Sequence, residues 1–274
     1  MLDAQTTRRV RLMSKRDSTS KESGVSGLIA AINHFLTSRE ETIPGIKDVL
    51  ANISSSVVAN NLCESGQAVS PNQQKMLQTA ISNIEDKSLQ PIRDLLKSAE
   101  DELVWRQDDS TYYSADADLG EGYKASNLHT LLIAPANAKY YHPDFTLGFF
   151  LLGPFTLYRD HFHLAPELYV NLSPVSGWRL DGGEWRDYGA GSLIWNGPNE
   201  VHATRSYDHP FFSIFSWVRD TRSLCKLAEK PDWEKLEKDL HDKKSASIGG
   251  RDRLPDTMPD AMPDAMPDAT IEKN

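Results

Sequence analysis

The feature that most restricts the fold is a change of texture near residue 128. From Leu128 to about Val218 the chain falls into short runs rich in aromatic and β-branched residues: Leu131–Ile133, Leu147–Leu152, Glu167–Leu172, Ser192–Trp195 and Phe211–Val218. Gly153-Pro154, Ser173-Pro174, Asp181-Gly182-Gly183 and Gly197-Pro198-Asn199 separate them. Proline breaks a helix and glycine weakens one, so this punctuation excludes long helices. Many short strands bounded by turns predict a β-sandwich or a barrel.

Upstream, over 24–107, the period is helical. Leu28, Ile29, Ile32, Phe35 and Leu36 make one apolar stripe,. Ser70-Pro71-Asn72-Gln73 predicts a helix start, with Ser70 as N-cap and Gln73 closing a capping box,. Met76, Leu77, Ala80, Ile81 and Ile84 form that helix's buried side, and Ile92, Leu95, Leu96, Leu103 and Val104 mark another. Residues 108–127 are polar, glycine-containing and tyrosine-rich, and read as a linker loop,. The barrel is expected over 128–222 and a C-terminal helix over 223–245, with Trp233, Leu236 and Leu240 on one side. Residues 1–23 read as a disordered basic arm. Residues 246–274 end in a Met-Pro-Asp-Ala repeat whose regular prolines forbid helix and ladder alike, a low-complexity disordered tail,.

A net charge of −9 and the lack of a basic stripe argue against nucleic acid,. No apolar run is long enough to span a bilayer, and the first residues lack a secretory signal's apolar stretch, so no membrane partner and a cytoplasmic location are expected,. Cys63 and Cys225 stand alone, outside any CxxC, which fits a reducing compartment,. A homodimer is compatible with everything in the sequence.

The chemistry concentrates in Tyr158-Arg-Asp-His161-Phe-His163-Leu-Ala-Pro-Glu167-Leu-Tyr169, with His202 following in a second, turn-bounded segment. Read as one strand, the odd positions His161, His163, Glu167 and Tyr169 share a face. Buried without an ion, each would need its own polar partner. Three nitrogens and one oxygen suit one divalent transition metal: Zn, Fe, Mn, Co or Ni. Tyr158 is out of phase with that face and needs a bulge or a flanking strand to join it. His129, His142 and His209 lack ligand spacing and read as surface or core. Arg159 and Asp160 read as solvated neighbours of the motif.

These two segments resemble the two motifs of the cupin superfamily. The first runs from Gly153 through His161-x-His163-x3-Glu167 to Gly177. The second is Gly191 followed by Gly197-Pro198-x3-His202, with longer spacings than the family's usual ones. The resemblance implies an α+β, mainly β protein: a helical N-terminal region followed by a single jelly-roll-like cupin β-barrel. More narrowly, His161-x-His163-x3-Glu167-x-Tyr169 preceded by Tyr158 looks like the site of the cupin-type dimethylsulfoniopropionate lyases. That likeness implies a metal held by His161, His163, Glu167 and His202, Tyr169 as catalytic base and Tyr158 assisting. It also implies dimethylsulfoniopropionate as the small-molecule substrate, split into dimethyl sulfide and acrylate.

The chemistry agrees with that assignment. Removing a proton next to a carboxylate builds charge on a group already anionic, which a divalent cation offsets. Free tyrosine has a pKa of about 10, so Tyr169 needs its phenolate stabilised, and a metal on the same face does that. A sulfonium suits aromatic faces, for which Trp178, Trp195, Tyr140 and Trp217 are the candidates. Two other readings use the same ligands: an Fe(II)-dependent cupin dioxygenase, and a non-catalytic metal-binding sensor. Neither needs a phenol base at position 169.

Overall fold

The computed structural model describes residues 24–59, 69–108 and 112–251. The expected basic arm, Cys63 and most of the repeat tail lie outside them. The helical part comprises α1 (Gly24–Thr37), α2 (Ile46–Ser55), α3 (Pro71–Ser82) and α4 (Gln90–Ser98), then a 3-10 turn at Glu100–Glu102. The capping box at the head of α3 is formed: the Gln73 N–H donates to Ser70 Oγ at 3.3 Å, and the Ser70 N–H to Gln73 Oε1 at 3.0 Å. One extended pair, β1 (Val57–Val58), interrupts the helical region and sits on a sheet edge.

A short helix, α5 (Glu121–Ser126), lies inside the segment expected to be a linker. The strands are β2 (Leu128–Ala134), β3 (Tyr140–Tyr141), β4 (Thr146–Leu152), β5 (Leu157–Phe162), β6 (Glu167–Asn171) and β7 (Val175–Leu180). There follow β8 (Arg186–Gly189), β9 (Leu193–Asn196), β10 (His202–Arg205), β11 (Phe211–Trp217) and β12 (Lys226–Leu227). The last helix, α6, spans Trp233–Arg251. It starts later than the sequence predicts, because 226–227 pair with β5, and it runs on into the expected tail.

Two sheets face each other, in the orders β1-β3-β2-β4-β11-β6-β9 and β12-β5-β10-β7-β8. Pairing is antiparallel except between β2 and β3. The architecture is α+β, mainly β, and of the cupin jelly-roll kind. The two sheets are separate ladders rather than one closed barrel.

Side-chain alternation explains the layering. On β4, Leu147, Phe149 and Leu151 join the helices in one core, while Phe150 and Leu152 face the opposite sheet. On β11, Phe212 and Ile214 point to the helices, and Phe211, Phe215 and Trp217 point inward. Both strands are therefore buried on both faces, which is why neither carries a charged residue or an apolar–polar alternation,. The inner layer between the sheets holds the site. Among the described residues no helix is long and apolar enough to cross a membrane.

Candidate metal centre

The motif is not one strand. His161 is the penultimate residue of β5 in the smaller sheet, Glu167 opens β6 in the larger one, and 163–166 cross between them. Pro166 lacks an N–H and restrains the residue before it, so the ladder has to break there. The groups share a cavity because two sheets face each other, not because they share a strand face.

His202, the first residue of β10, lies directly opposite His161. The turn at 197–200 delivers it. Asn199 sits at φ 61 with its N–H on the His163 carbonyl at 2.8 Å, and Glu200 Oε2 accepts the Gly197 N–H at 2.6 Å. The longer spacing of the second motif is the length of this turn.

One ligand atom from each of His161, His163 and His202 lies within 4.8 Å of the others, all three residues being buried. Each ring is held by its other nitrogen. Nδ1 of His161 meets the Arg159 carbonyl at 2.8 Å, that of His163 the Ala165 carbonyl at 2.8 Å, and that of His202 the Glu200 carbonyl at 3.0 Å. A carbonyl only accepts, so each Nδ1 carries a proton, and Nε2 is the atom left to face an ion.

Glu167 Oε2 lies 3.1 Å from His163 Nε2 and 3.3 Å from His202 Nε2. Its other oxygen accepts the Trp217 indole N–H at 2.9 Å. The buried His202 Nε2 has no hydrogen-bond partner of good geometry. Such an orphan is costly by itself and is what a missing cation would satisfy, so the donor set fits a divalent metal.

Burial, then the neighbouring His202 and His163, hold His161 well below the ordinary histidine range. Burial alone would raise Glu167, but the adjacent His163 and His202 outweigh it and keep the carboxyl well below the usual range. Neutral imidazoles and an ionised carboxylate are the forms that bind metal.

Tyr158 reaches this cavity through a bulge. His202 pairs with His161 but Thr204 with Tyr158, two residues against three,. The Tyr158 ring then stacks on His161, centroids 4.1 Å apart. Tyr169 faces the cavity from β6 and packs against Trp178 at 5.0 Å. Burial, then the Glu167 carboxylate, pushes its phenol well above the ordinary value.

The four aromatics expected around the substrate separate. Trp217 lines the cavity. Trp178 lies behind Tyr169 with its indole N–H on Ser176 Oγ at 2.9 Å. Trp195 pairs with Leu168, on the helical side of its strand, and covers Gly45, where a Cβ would meet its ring at 2.2 Å. Tyr140 also packs on the helical core. These last three are packing residues.

Most of the rest of the cavity wall comes from residues the sequence did not single out: Asp108, Tyr112 and Tyr123 of the expected linker, with Phe150 and Phe215. His129, which reads as surface or core, and the lone Cys225 also line it. The free space inside this wall is small, about 40 Å³, room for an ion and a few waters. Cys225 is buried, and burial pushes its thiol well above the ordinary value, which makes it inert as a nucleophile,. Arg159 and Asp160 are not solvated. Asp160 is fully buried, accepting Arg179 Nε at 2.9 Å and the Trp233 indole N–H at 2.8 Å. Arg159 forks onto Glu237 at 2.8 and 2.9 Å.

A family model described as dimethylsulfoniopropionate lyase matches residues 47–213. The curated dimethylsulfoniopropionate lyase DddQ of Ruegeria pomeroyi is 31% identical over 70 residues, covering 26% of this chain and 35% of that one. The chain thus aligns with about a third of that relative's length. The solved DddQ from Ruegeria pomeroyi DSS-3 superposes with a TM-score of 0.58 at 20% identity, covering 74% of this chain and 96% of that one. A chain from the crystal structures of the DMSP lyases RdDddP and RnDddQII gives 0.58 at 18%, covering 75% and 97%. At those identities the structural likeness shows the fold.

Proposed function

The chain belongs to the dimethylsulfoniopropionate lyase family, and from that premise we propose that it splits dimethylsulfoniopropionate into dimethyl sulfide and acrylate by metal-dependent β-elimination. The observation that carries the reading is the convergence of three Nε2 atoms and the Glu167 carboxylate beside two buried tyrosines in one cavity. His161, His163, His202 and Glu167 would hold one divalent transition metal, which when bound supplies Lewis-acid stabilisation for charge building on the substrate carboxylate. Tyr169 takes the proton from the carbon next to that carboxylate. The electrons of the broken C–H bond form the double bond, and the C–S pair leaves with neutral dimethyl sulfide.

Burial and Glu167 both raise the Tyr169 phenol, so its work as a base requires compensating positive charge nearby. Tyr158, stacked on His161, orients the substrate from the opposite wall. Tyr112, Phe215 and Trp217 give the apolar surface against which the two methyl groups pack,. Glu167 and Tyr169 are themselves buried, which limits the water that can compete for the base,.

The test is headspace detection of dimethyl sulfide from purified, metal-loaded protein with dimethylsulfoniopropionate, for wild type and Tyr169→Phe. The substitution removes one oxygen and should cost about 10²–10⁴-fold in rate with metal content unchanged. Near-normal release by Tyr169→Phe would hand the base role to another group. Oxygen uptake with no dimethyl sulfide would point instead to a cupin dioxygenase.

A further inference from the structure

Tyr113 lies outside the family's histidine motifs, in the segment whose composition reads as a linker, yet it is 3% exposed and its hydroxyl lies 2.6 Å from that of Tyr158. Its backbone is fixed as well. Residue 113 forms a parallel bridge with Cys225, and the Cys225 N–H donates to the Tyr112 carbonyl at 2.8 Å. The Tyr158 ring is clamped between His161 at 4.1 Å and Tyr123 at 4.7 Å. The Tyr123 hydroxyl is in turn bonded to Asp108 Oδ2 at 2.9 Å.

The ring plane of Tyr158 is therefore set, and the one free variable is where its hydroxyl proton points. Tyr158 lines the cavity and Tyr113 does not. A buried hydroxyl that fails to donate is costly. Two acceptors face Tyr113, the Cys225 sulfur and the Tyr158 oxygen, and the oxygen, at 2.6 Å and the stronger acceptor, takes the proton,. When Tyr113 donates there, the proton of Tyr158 is directed into the cavity, where an anionic substrate carboxylate accepts it.

We propose that Tyr113 is a positioning residue: its hydroxyl donates to Tyr158 and so commits Tyr158 to act as the hydrogen-bond donor to the substrate carboxylate. The inference rests on the lyase reading for its consequence in catalysis, while the hydrogen bond itself does not. Tyr113 also meets the His161 ring edge-on at 6.1 Å, so its route through Tyr158 is what non-additivity of the two substitutions tests.

The experiment is a double-mutant cycle on the metal-loaded, full-length protein with Tyr113→Phe, Tyr158→Phe and the double variant, reading dimethyl sulfide release. Tyr113→Phe should lower kcat/KM by roughly two- to tenfold, the worth of one net hydrogen bond, and should have no further effect once Tyr158 is Phe. An equal loss in both backgrounds would mean that Tyr113 only supports the fold. A gain in Tyr113→Phe would mean that Tyr113 accepts rather than donates, and either result overturns the proposal. A second readout is independent of turnover. In protein labelled with ¹³C at the tyrosine ζ carbon, the Tyr158 resonance is the one lost in Tyr158→Phe, and it should shift in Tyr113→Phe. If it does not move, the pair is not formed, whatever the protein catalyses. If it moves and wild type releases no dimethyl sulfide, the lyase reading fails and the hydrogen bond stands.

Discussion

Each histidine of the centre is committed to one tautomer before an ion arrives, because its Nδ1–H is already spent on a carbonyl two residues away,. The set is small and fixed, so losing one member should lose the ion. His163→Ala should drop bound metal to a small fraction of one equivalent and abolish dimethyl sulfide release. Elemental analysis beside wild type checks this, and equal metal content would sink the assignment. At this scale the histidines, Glu167 and Tyr169 are legible from residue type and from the motif's resemblance to a family. The shared strand face read from their spacing is absent, because 163–166 cross between sheets. The tryptophans are not legible, because their side of the sheet depends on register: Tyr169 opposes Ile194, which turns the next residue, Trp195, toward the helices. Tyr158 is legible only with its bulge, which exists in the pairing of β5 with β10 and not in either segment by itself.

The element that most exceeds its sequence signal is α6. Its pattern marks a helix, but nothing in it shows that Trp233 and Glu237 grip β5 immediately beside the histidines. Asp160 receives Arg179 and Trp233, Arg159 receives Glu237, and Asp232 holds Arg179 from the far side at 2.6 Å. Removing one partner of a buried ion pair typically costs about 3–5 kcal/mol because the other stays charged and dry. Asp160→Ala should therefore destabilise the protein by about that amount in denaturant titration and weaken metal retention, since Asp160 sits in the bulge between Tyr158 and His161. A loss below about 1 kcal/mol would show that Arg179 and Trp233 are satisfied without it. The 112–123 segment belongs to the same lesson. Polar and glycine-containing residues predict a loop, and a loop is largely what forms. Tyr112 and Tyr123 are cavity wall because Arg159 holds the Asp118 carbonyl at 2.8 Å and the Cys225 N–H holds the Tyr112 carbonyl, both long-range contacts that no local pattern encodes.

Over the whole molecule the two cores divide the work. The helices and the outer face of the larger sheet make a large apolar body, and the space between the sheets is left to aromatic and polar groups. Periodicity makes the first legible, whereas the second depends on how the two sheets face each other. The inner layer is expensive without its ion, and that cost should appear as a pH dependence of stability. The folded metal-free protein holds His161 below its unfolded value, so the unfolded chain takes up a proton first as pH falls. Stability is then complete above the unfolded histidine pKa of about 6.5 and declines below it,. Glu167 is also depressed, so its contribution is present above the unfolded glutamate value of about 4.3 and is lost as pH falls below that,. Melting temperature against pH should show a first decline starting near 6.5 and a second starting near 4.3. A bound ion that selects the folded state adds about 2.7 kcal/mol at a hundredfold excess over Kd. For a chain of this size that is a rise of roughly 5–10 °C, at about 2–4 °C per kcal/mol. The increment should shrink as pH falls, because protons compete for the same Nε2 lone pairs. A metal-induced rise that stays constant from pH 8 to pH 5 would show that the ion stabilises the protein somewhere other than the histidine centre.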